Sequence, residues 1–320
     1  MAAAVATTRE AGPVAFVAGV ESSIRRLHDS EARRWVPVDA RFARVVDAIA
    51  GLALAGGKRL RALFAYWAFT GAGGDPDSPL IVDAGAALEL IHLAALIHDD
   101  VMDASARRRG RPTLQVSFAD LHRRQGWRGD PAQFGEAAAI VLGDVALFHA
   151  DSLLAGAPAE AHRIVAGLKL EMAMGQYLDL HATAAGGADA ETALRVAHYK
   201  TAKYSVERPL HLGASLAGRL RELGPALSAY GVPLGIAFQL ADDLLGEFGD
   251  PSLTGKPVGD DHRQGKPTLL LATGGRRTEV EQTLERLIEQ AVGALEGAGL
   301  APEATAALAA LARFVKARCA

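Results

Sequence analysis

The sequence predicts an all-α protein, on three observations. Apolar residues recur at steps of three and four along every long segment. No run alternates β-branched with polar residues as a half-buried strand does. Gly, Pro and Asp gather between the periodic stretches, where they end helices. Residues 1–12, MAAAVATTREAG, read as a frayed tail, because Arg9 and Glu10 interrupt the small apolar residues before a signal-peptide core develops. FARVVDAIAGLAL (42–54) is the first clear amphipathic helix. GAGGDPDSP (71–79) then breaks the chain ahead of a helix around 80–103, whose ALELIHLAALIH is apolar nearly all round and therefore expected to be buried. GWRGDPAQ (126–133) precedes the helix of EAAAIVLGDVALFHADSLL, and TAAGGADA (183–190) precedes that of ALRVAHYKTAKY. A helix around 226–247 ends at FGDPSLTGKPVGDD (248–261), and two plain amphipathic helices follow from about 277. The breaks are short and several carry charge, so residues 13–320 are expected to form one large helical domain.

Composition narrows the function. The chain has 320 residues, half of them hydrophobic, enough for a substantial core. Lys and Arg number 34 against 37 Asp and Glu, a net charge of -3, so nothing draws the whole molecule to nucleic acid. Any grip on anions must come from local clusters of cations. Cys319 is the single cysteine and has no partner for a disulfide within the chain, which fits a reducing cytoplasm. No run of about 18 or more residues lacks both charge and helix breaker, so no membrane span is expected.

Two acidic clusters stand out. Asp99, Asp100 and Asp103 form DDxxD, with the first and last one helical turn apart and hence on one face. Acids at a helix end are often only solvated surface; here the helix before them reads as buried, and burying unpaired carboxylates is costly. Oxygen ligands so spaced suit Mg²⁺, which keeps waters and shares its shell with substrate phosphates. Asp242 and Asp243 end a second apolar stretch, GIAFQLADDLL, and both helices are expected to present acid to one cavity. Four basic groups balance them: Lys58, Arg59 and Arg61 in GGKRLR, Arg107 to Arg111 in RRRGR, Lys200 and Lys203 in YKTAK, and Lys256 and Lys266 flanking the 256–266 segment. Arg suits a bidentate phosphate grip and Lys a point contact.

Acids for a divalent cation, cations for phosphate and an apolar helical body call for a substrate anionic at one end and greasy at the other. The ordered set GGKRLR, ELIHLAALIHDDVMD, RRGRPT, GDVAL, MGQYLDL, YKTAKYSVERPL, FQLADDLL and GKPVGDDHRQGKPT resembles the trans-polyprenyl diphosphate synthase family over residues 40–275. That resemblance implies an isoprenoid-synthase fold, a large antiparallel helix bundle around a central cavity, and a homodimer using three Mg²⁺ ions. It implies that Asp99, Asp103 and Asp242 bind metal, supported by Asp100 and Asp243. Arg108, Lys200, Lys256 and Lys266 would hold the allylic diphosphate. Gly57, Lys58, Arg61, His92 and Arg109 would hold isopentenyl diphosphate. Thr201, the Lys200 carbonyl and Gln239 would face the cation formed in the reaction, and Tyr204 and Phe238 could add π density, although packing is the simpler role for Phe238. Gly246 stands where the family usually has a third aspartate, and Asp260 and Asp261 lie in the loop beyond.

Product length follows from the helix that carries DDxxD. Ala94 and Ala95 precede Asp99 by five and four residues and are small, with Ile91 and Leu88 one and two turns deeper as stops. Family members that stop at fifteen carbons tend to be aromatic at the positions of Ala94 and Ala95, and KTAKYSVERPLHLGA with DDLLGEFGD resembles geranylgeranyl diphosphate synthases of high-GC bacteria, so the resemblance implies geranylgeranyl diphosphate as product, with farnesyl or longer chains the alternatives. A terpene cyclase shares DDxxD but lacks GGKRLR, and a silent partner subunit should have lost an acid or basic motif that is complete here.

Overall fold

Alanine, leucine and the long charged side chains lose little freedom on entering a helix, and the chain folds accordingly. The structure, a computed structural model, describes residues 2–108, 110–187, 189–249 and 265–317. α1 spans Ala2–Trp35, α2 Phe42–Ala53, α3 Leu60–Gly71 and α4 Pro79–Met102. A short ribbon follows, β1 (Arg107–Arg108) antiparallel to β2 (Arg111–Pro112). Then come α5 (Leu114–Gln125), α6 (Pro131–Leu153), α7 (Ala159–Ala184) and α8 (Ala190–Val196). A π-helix over Ala197–Glu207 leads into α9 (Arg208–Leu216) and α10 (Leu220–Phe248). α11 (Leu269–Ala272), α12 (Arg277–Gly293) and α13 (Pro302–Ala317) complete it.

The breaks at 71–79, 126–133 and 183–190 fall between helices as expected, and two helices follow residue 277. The last break lies mostly outside the described residues, as does Cys319. Four features depart from expectation. α1 begins at Ala2, so the segment read as a tail enters a helix; a charged pair that spoils a signal core does nothing to break a helix rich in alanine. The Arg107–Pro112 segment is a β-ribbon, turning at Gly110 with φ +74°, a backbone state glycine adopts without steric cost. Residues 197–207 take the wider i→i+5 winding where α periodicity is expected. Finally, α4, α6 and α10 are each long and apolar enough to cross a membrane by length and composition, because a window average tolerates the charges they carry. α4 and α10 are apolar because they are mostly buried inside the protein; only 28% of the apolar window of α6 is buried.

The chain divides into two compact units, residues 1–62 with 82–156 and residues 63–81 with 157–320. Of the three crossings between them, two fall inside helices, α3 and α4, and the third in the short loop between α6 and α7. The first unit packs α5 on α6 and α2 beside α1. Phe118, Leu121 and Leu142 form a cluster there, with Val45, Ala48 and Phe134 against it. In the second unit α10 is the central element, touching the π-helix, α9, α12 and α13. Its Tyr230 is fully buried, meets Phe64 edge-on and donates its hydroxyl to the Leu308 carbonyl at 2.8 Å. A buried hydroxyl so satisfied gains its packing without an orphaned polar atom.

Candidate active site

In the first unit, the end of α4 gathers its three aspartates around one guanidinium. Arg108, on β1, donates from Nε to both oxygens of Asp100 at 2.9 and 3.0 Å, and its Nη2 stands 2.8 Å from Asp100 and 3.5 Å from Asp99. Burial pulls the Arg108 pKa down, but the hydrogen bonds it donates to Asp100 and the charges of Asp100, Asp99 and Asp103 outweigh it and raise it above the ordinary arginine value. Asp100 is thus the inward member of the pair, its side chain 8% exposed against 22% for Asp99. Gln115 fixes the turn that follows by donating to the carbonyls of Asp100 and Ser105 at 2.7 and 2.8 Å, and Thr113 donates to Ser105 at 2.7 Å. Asp99 and Asp103 remain half-exposed, one turn apart. Among the described residues no three His, Cys, Asp or Glu side chains form a ready-made metal cage. Mg²⁺, which takes few protein carboxylates and completes its shell with water and phosphate, fits that donor set.

His92, half-buried, lies seven residues before Asp99 on α4 and so shares its face. Ala95 and Leu88 fall on the same side; Ala95 is half-buried and Leu88 fully buried. Ile91 is buried about a quarter-turn away, and Ala94 is turned further off this face, 1% exposed. The two alanines, equivalent in sequence, differ in what surrounds them.

GGKRLR does not present three cations to one side. Lys58 is exposed and Arg61 half-buried, while Arg59 between them turns inward. Its guanidinium reaches Glu89 of α4 at 3.1 Å and donates to the Ala53 carbonyl at 2.7 Å. Gly56 and Gly57, at φ +90° and +143°, make the bend before it.

In the second unit, the π-helix carries the cationic and hydroxyl groups. Lys200 pairs with Asp179 of α7. Thr201 donates to the Gln239 amide oxygen, and Gln239 in turn donates to Asp243 at 2.7 Å. Asp243 is buried and Asp242 half-exposed, so α10 repeats the division seen on α4: the second acid of the pair is held by a neighbour and the first lies nearer solvent. Lys203 is taken by Glu207 at 2.6 Å; burial raises the Glu207 pKa, but hydrogen bonds from Lys203 and Ser228 and the charges of Lys203 and His211 outweigh it and hold it below the usual glutamate value. Arg208 grips Glu171 of α7 at 2.8 and 2.5 Å, tying the end of the π-helix to that helix. Tyr204, Phe238, Gly246 and Lys266 are half-buried.

Arg109, Lys256, Asp260 and Asp261 lie outside the described residues. Four contributors were not singled out from sequence: Asp179, Glu89, Gln115 and Glu207. Three of them sit in motifs already quoted, Glu89 at the start of ELIHLAALIHDDVMD, Asp179 in MGQYLDL and Glu207 in YKTAKYSVERPL, while Gln115 lies just past RRGRPT.

The polyprenyl synthetase family matches residues 43–297. The chain is 34% identical over 261 residues to the nonaprenyl diphosphate synthase of Mycobacterium tuberculosis, 81% of this chain and 71% of that one. It is 36% identical over 239 residues to the geranylgeranyl diphosphate synthase of the same organism, 73% of this chain and 63% of that one, less than two thirds of its length. It superposes with a TM-score of 0.88 and 36% identity on the geranylgeranyl pyrophosphate synthase of Corynebacterium glutamicum, solved with isoprenyl diphosphate and magnesium, covering 95% of this chain and 98% of that one. An all-helical chain, paired aspartates ending two of its helices and a family match over most of its length lead to one conclusion: the chain belongs to the polyprenyl synthetase family and is a prenyltransferase.

Proposed function

We propose that the chain condenses isopentenyl diphosphate with an allylic diphosphate to give a longer all-trans prenyl diphosphate, with geranylgeranyl diphosphate the product. The observation that carries this is the gathering of Asp99, Asp100 and Asp103 on Arg108, with only Asp100 drawn fully inward. In that cluster Asp100 holds Arg108 most closely, and Asp99 and Asp103, half-exposed one turn apart beside the same cation, are the carboxylates assigned to metal. Asp99 at the end of α4, Asp103 in the turn just after it and Asp242 on α10 are the proposed holders of three Mg²⁺ ions, which when bound neutralise the diphosphate leaving group. Arg108, Lys200 and Lys266 are assigned to the allylic diphosphate, and Lys58, Arg61 and His92 to isopentenyl diphosphate.

The allylic C1–O bond breaks with its electron pair leaving on diphosphate, whose charge fixed cations stabilise best where water is scarce. The terminal double bond of isopentenyl diphosphate then attacks C1, forming the new carbon–carbon bond. Loss of a proton from the resulting cation restores a double bond, and the released diphosphate accepts that proton. Thr201 and Gln239, linked to each other, are the oxygen-bearing side chains assigned to face the cation. No side-chain nucleophile is needed.

Ala95, on the Asp99 face with Leu88 deeper, is the proposed start of the wall along which the product grows. The exposed apolar face of α6, with Ile140, Val141 and Phe148, supports a homodimer, a second copy of this chain covering that face. A cytoplasmic location follows from this reading.

The test is Mg²⁺-dependent diphosphate release with each substrate alone and with both, followed by sizing of the dephosphorylated alcohols. Release only with both substrates and a twenty-carbon alcohol is expected. Release from the allylic substrate alone would indicate a cyclase, and no release in any mixture a silent subunit.

A further inference from the structure

Arg59 is an expensive residue for stability alone. It is 6% exposed, and its backbone stands at φ +49°, a region an arginine enters at a cost. Its partner Glu89 is 7% exposed. Arg59 Nε and Glu89 Oε1 are both buried with no hydrogen-bond partner among the described residues. An ion pair buried with unsatisfied atoms is no better for stability than well-packed apolar side chains of the same size.

What the arrangement does provide is location. The guanidinium ties together three elements of the first unit: α4 through Glu89 at 3.1 Å, the end of α2 through the Ala53 carbonyl at 2.7 Å, and α1 through Glu21 at 3.4 Å. Its own backbone sits between Lys58 and Arg61, at the start of α3 and just after Gly56 and Gly57. Without an anchor, two glycines of positive φ would leave this bend free to wander. Glu89 is three residues before His92 on α4, so the same bond fixes the bend against the helix that bears His92.

We propose that Arg59, locked by Glu89, is a positioning residue for the isopentenyl diphosphate grip: it holds the Gly56–Arg61 bend in register with α4 so that Lys58, Arg61 and His92 meet one diphosphate. This rests on the function proposed above, and it assigns that substrate's affinity to a residue that does not touch it.

The test uses the full-length enzyme with Glu89→Gln, nearly isosteric, and the double variant Arg59→Met/Glu89→Leu, which replaces the ion pair by apolar packing. Michaelis constants for the two substrates and kcat are measured separately, with thermal melting as the control for folding. In Glu89→Gln the KM for isopentenyl diphosphate is expected to rise about tenfold while kcat and the KM for the allylic substrate stay within about threefold. The double variant should melt at or above the wild-type temperature yet keep the raised KM. A KM for isopentenyl diphosphate within about twofold of wild type, equal rises for both substrates, or a double variant that restores the wild-type KM would each overturn the proposal. Should Glu89→Gln fail to fold, Arg59→Lys carries the same measurements. A wild-type enzyme that does not turn over both substrates would instead remove the underlying function, an outcome distinct from a failure of the latch.

Discussion

Gly175 and Gly235 hold the π-helix from two sides. A Cβ at Gly175 would stand 2.2 Å from the Lys200 amide nitrogen and 2.5 Å from the Tyr199 carbonyl carbon; one at Gly235 would stand 2.4 Å from the Ala202 Cα. Ordinary contact begins at 3.4 Å, and the obstructing atoms are backbone, which cannot swing aside as a side-chain tip can. For Gly175→Ala, α7 and the π-helix must therefore part by roughly 1 Å, an overpacking that costs about 1–3 kcal/mol. The same shift moves Lys200 off Asp179, and displacement of about 1 Å in a substrate-holding group lowers turnover about a hundredfold. Gly167 supplies the control: it lies on the same helix with nothing within 4 Å of a Cβ, so Gly167→Ala should gain about 0.5–1 kcal/mol and leave kcat unchanged. Melting curves and steady-state rates with both substrates measure the two effects. If Gly175→Ala keeps a kcat within about threefold of wild type, close backbone approach is not what sets the position of Lys200, and the reasoning fails.

Other outcomes follow from the same geometry. Asp100→Ala strands the Arg108 guanidinium and should cost about 1–3 kcal/mol of stability, whereas Asp99→Ala should leave the melting temperature nearly unchanged and raise the Mg²⁺ needed for half-maximal rate; equal melting shifts would contradict this division. Chelation of metal with EDTA should abolish turnover and added Mg²⁺ restore it. Asp242→Ala should lose far more turnover than Asp243→Asn, because Asp243 is occupied with Gln239; matched rates would discard the assignment. Ala95→Phe should shorten the product, while Ala94→Phe, buried, should mainly destabilise the protein; unchanged alcohols from Ala95→Phe would show that this face is not the growth wall. Burial lowers the pKa of His149, His198 and His211 below the ordinary value of 6.5. Their contribution to stability is fully present above 6.5 and is lost as pH falls below it, since the unfolded chain then binds protons the folded chain refuses. The melting temperature should drop from about pH 7.5 to about pH 5.5, less steeply in His211→Gln; parallel curves would acquit that residue.

The helices were legible because their signals are local. Asp130, followed by Pro131, accepts from the Ala132 amide at 3.0 Å and opens α6, and Asp189 accepts from the Thr192 amide at 2.8 Å to open α8. DDxxD was legible for the same reason, as a spacing on one helix. What stayed hidden depends on partners far along the chain. Arg59 looks like its neighbours in GGKRLR until Glu89, thirty residues on, is seen to draw it inward. The roles of Asp100 and Asp99 diverge only through Arg108. Ala94 and Ala95 are distinguished by burial, and two of the three crossings between the units are set by packing within α3 and α4. The π winding left no trace in the residue pattern, because eleven residues are too few to separate its period from that of an α-helix.

That winding makes the Ala197–Glu207 segment arithmetically unlike any other helix here. Each closed ring holds one residue more than an α-helix needs, so the segment is in effect a tolerated insertion. Deleting a single residue such as Ala202 would let it relax into a tighter α-helical spiral, which is expected to be locally sturdier. The rewinding would be centred on the residue beside Thr201, whose bond to Gln239, the partner of Asp243, depends on the present winding. Since the proposed function assigns Thr201 and Gln239 to the reacting cation, robustness gained there is expected to come with turnover lost.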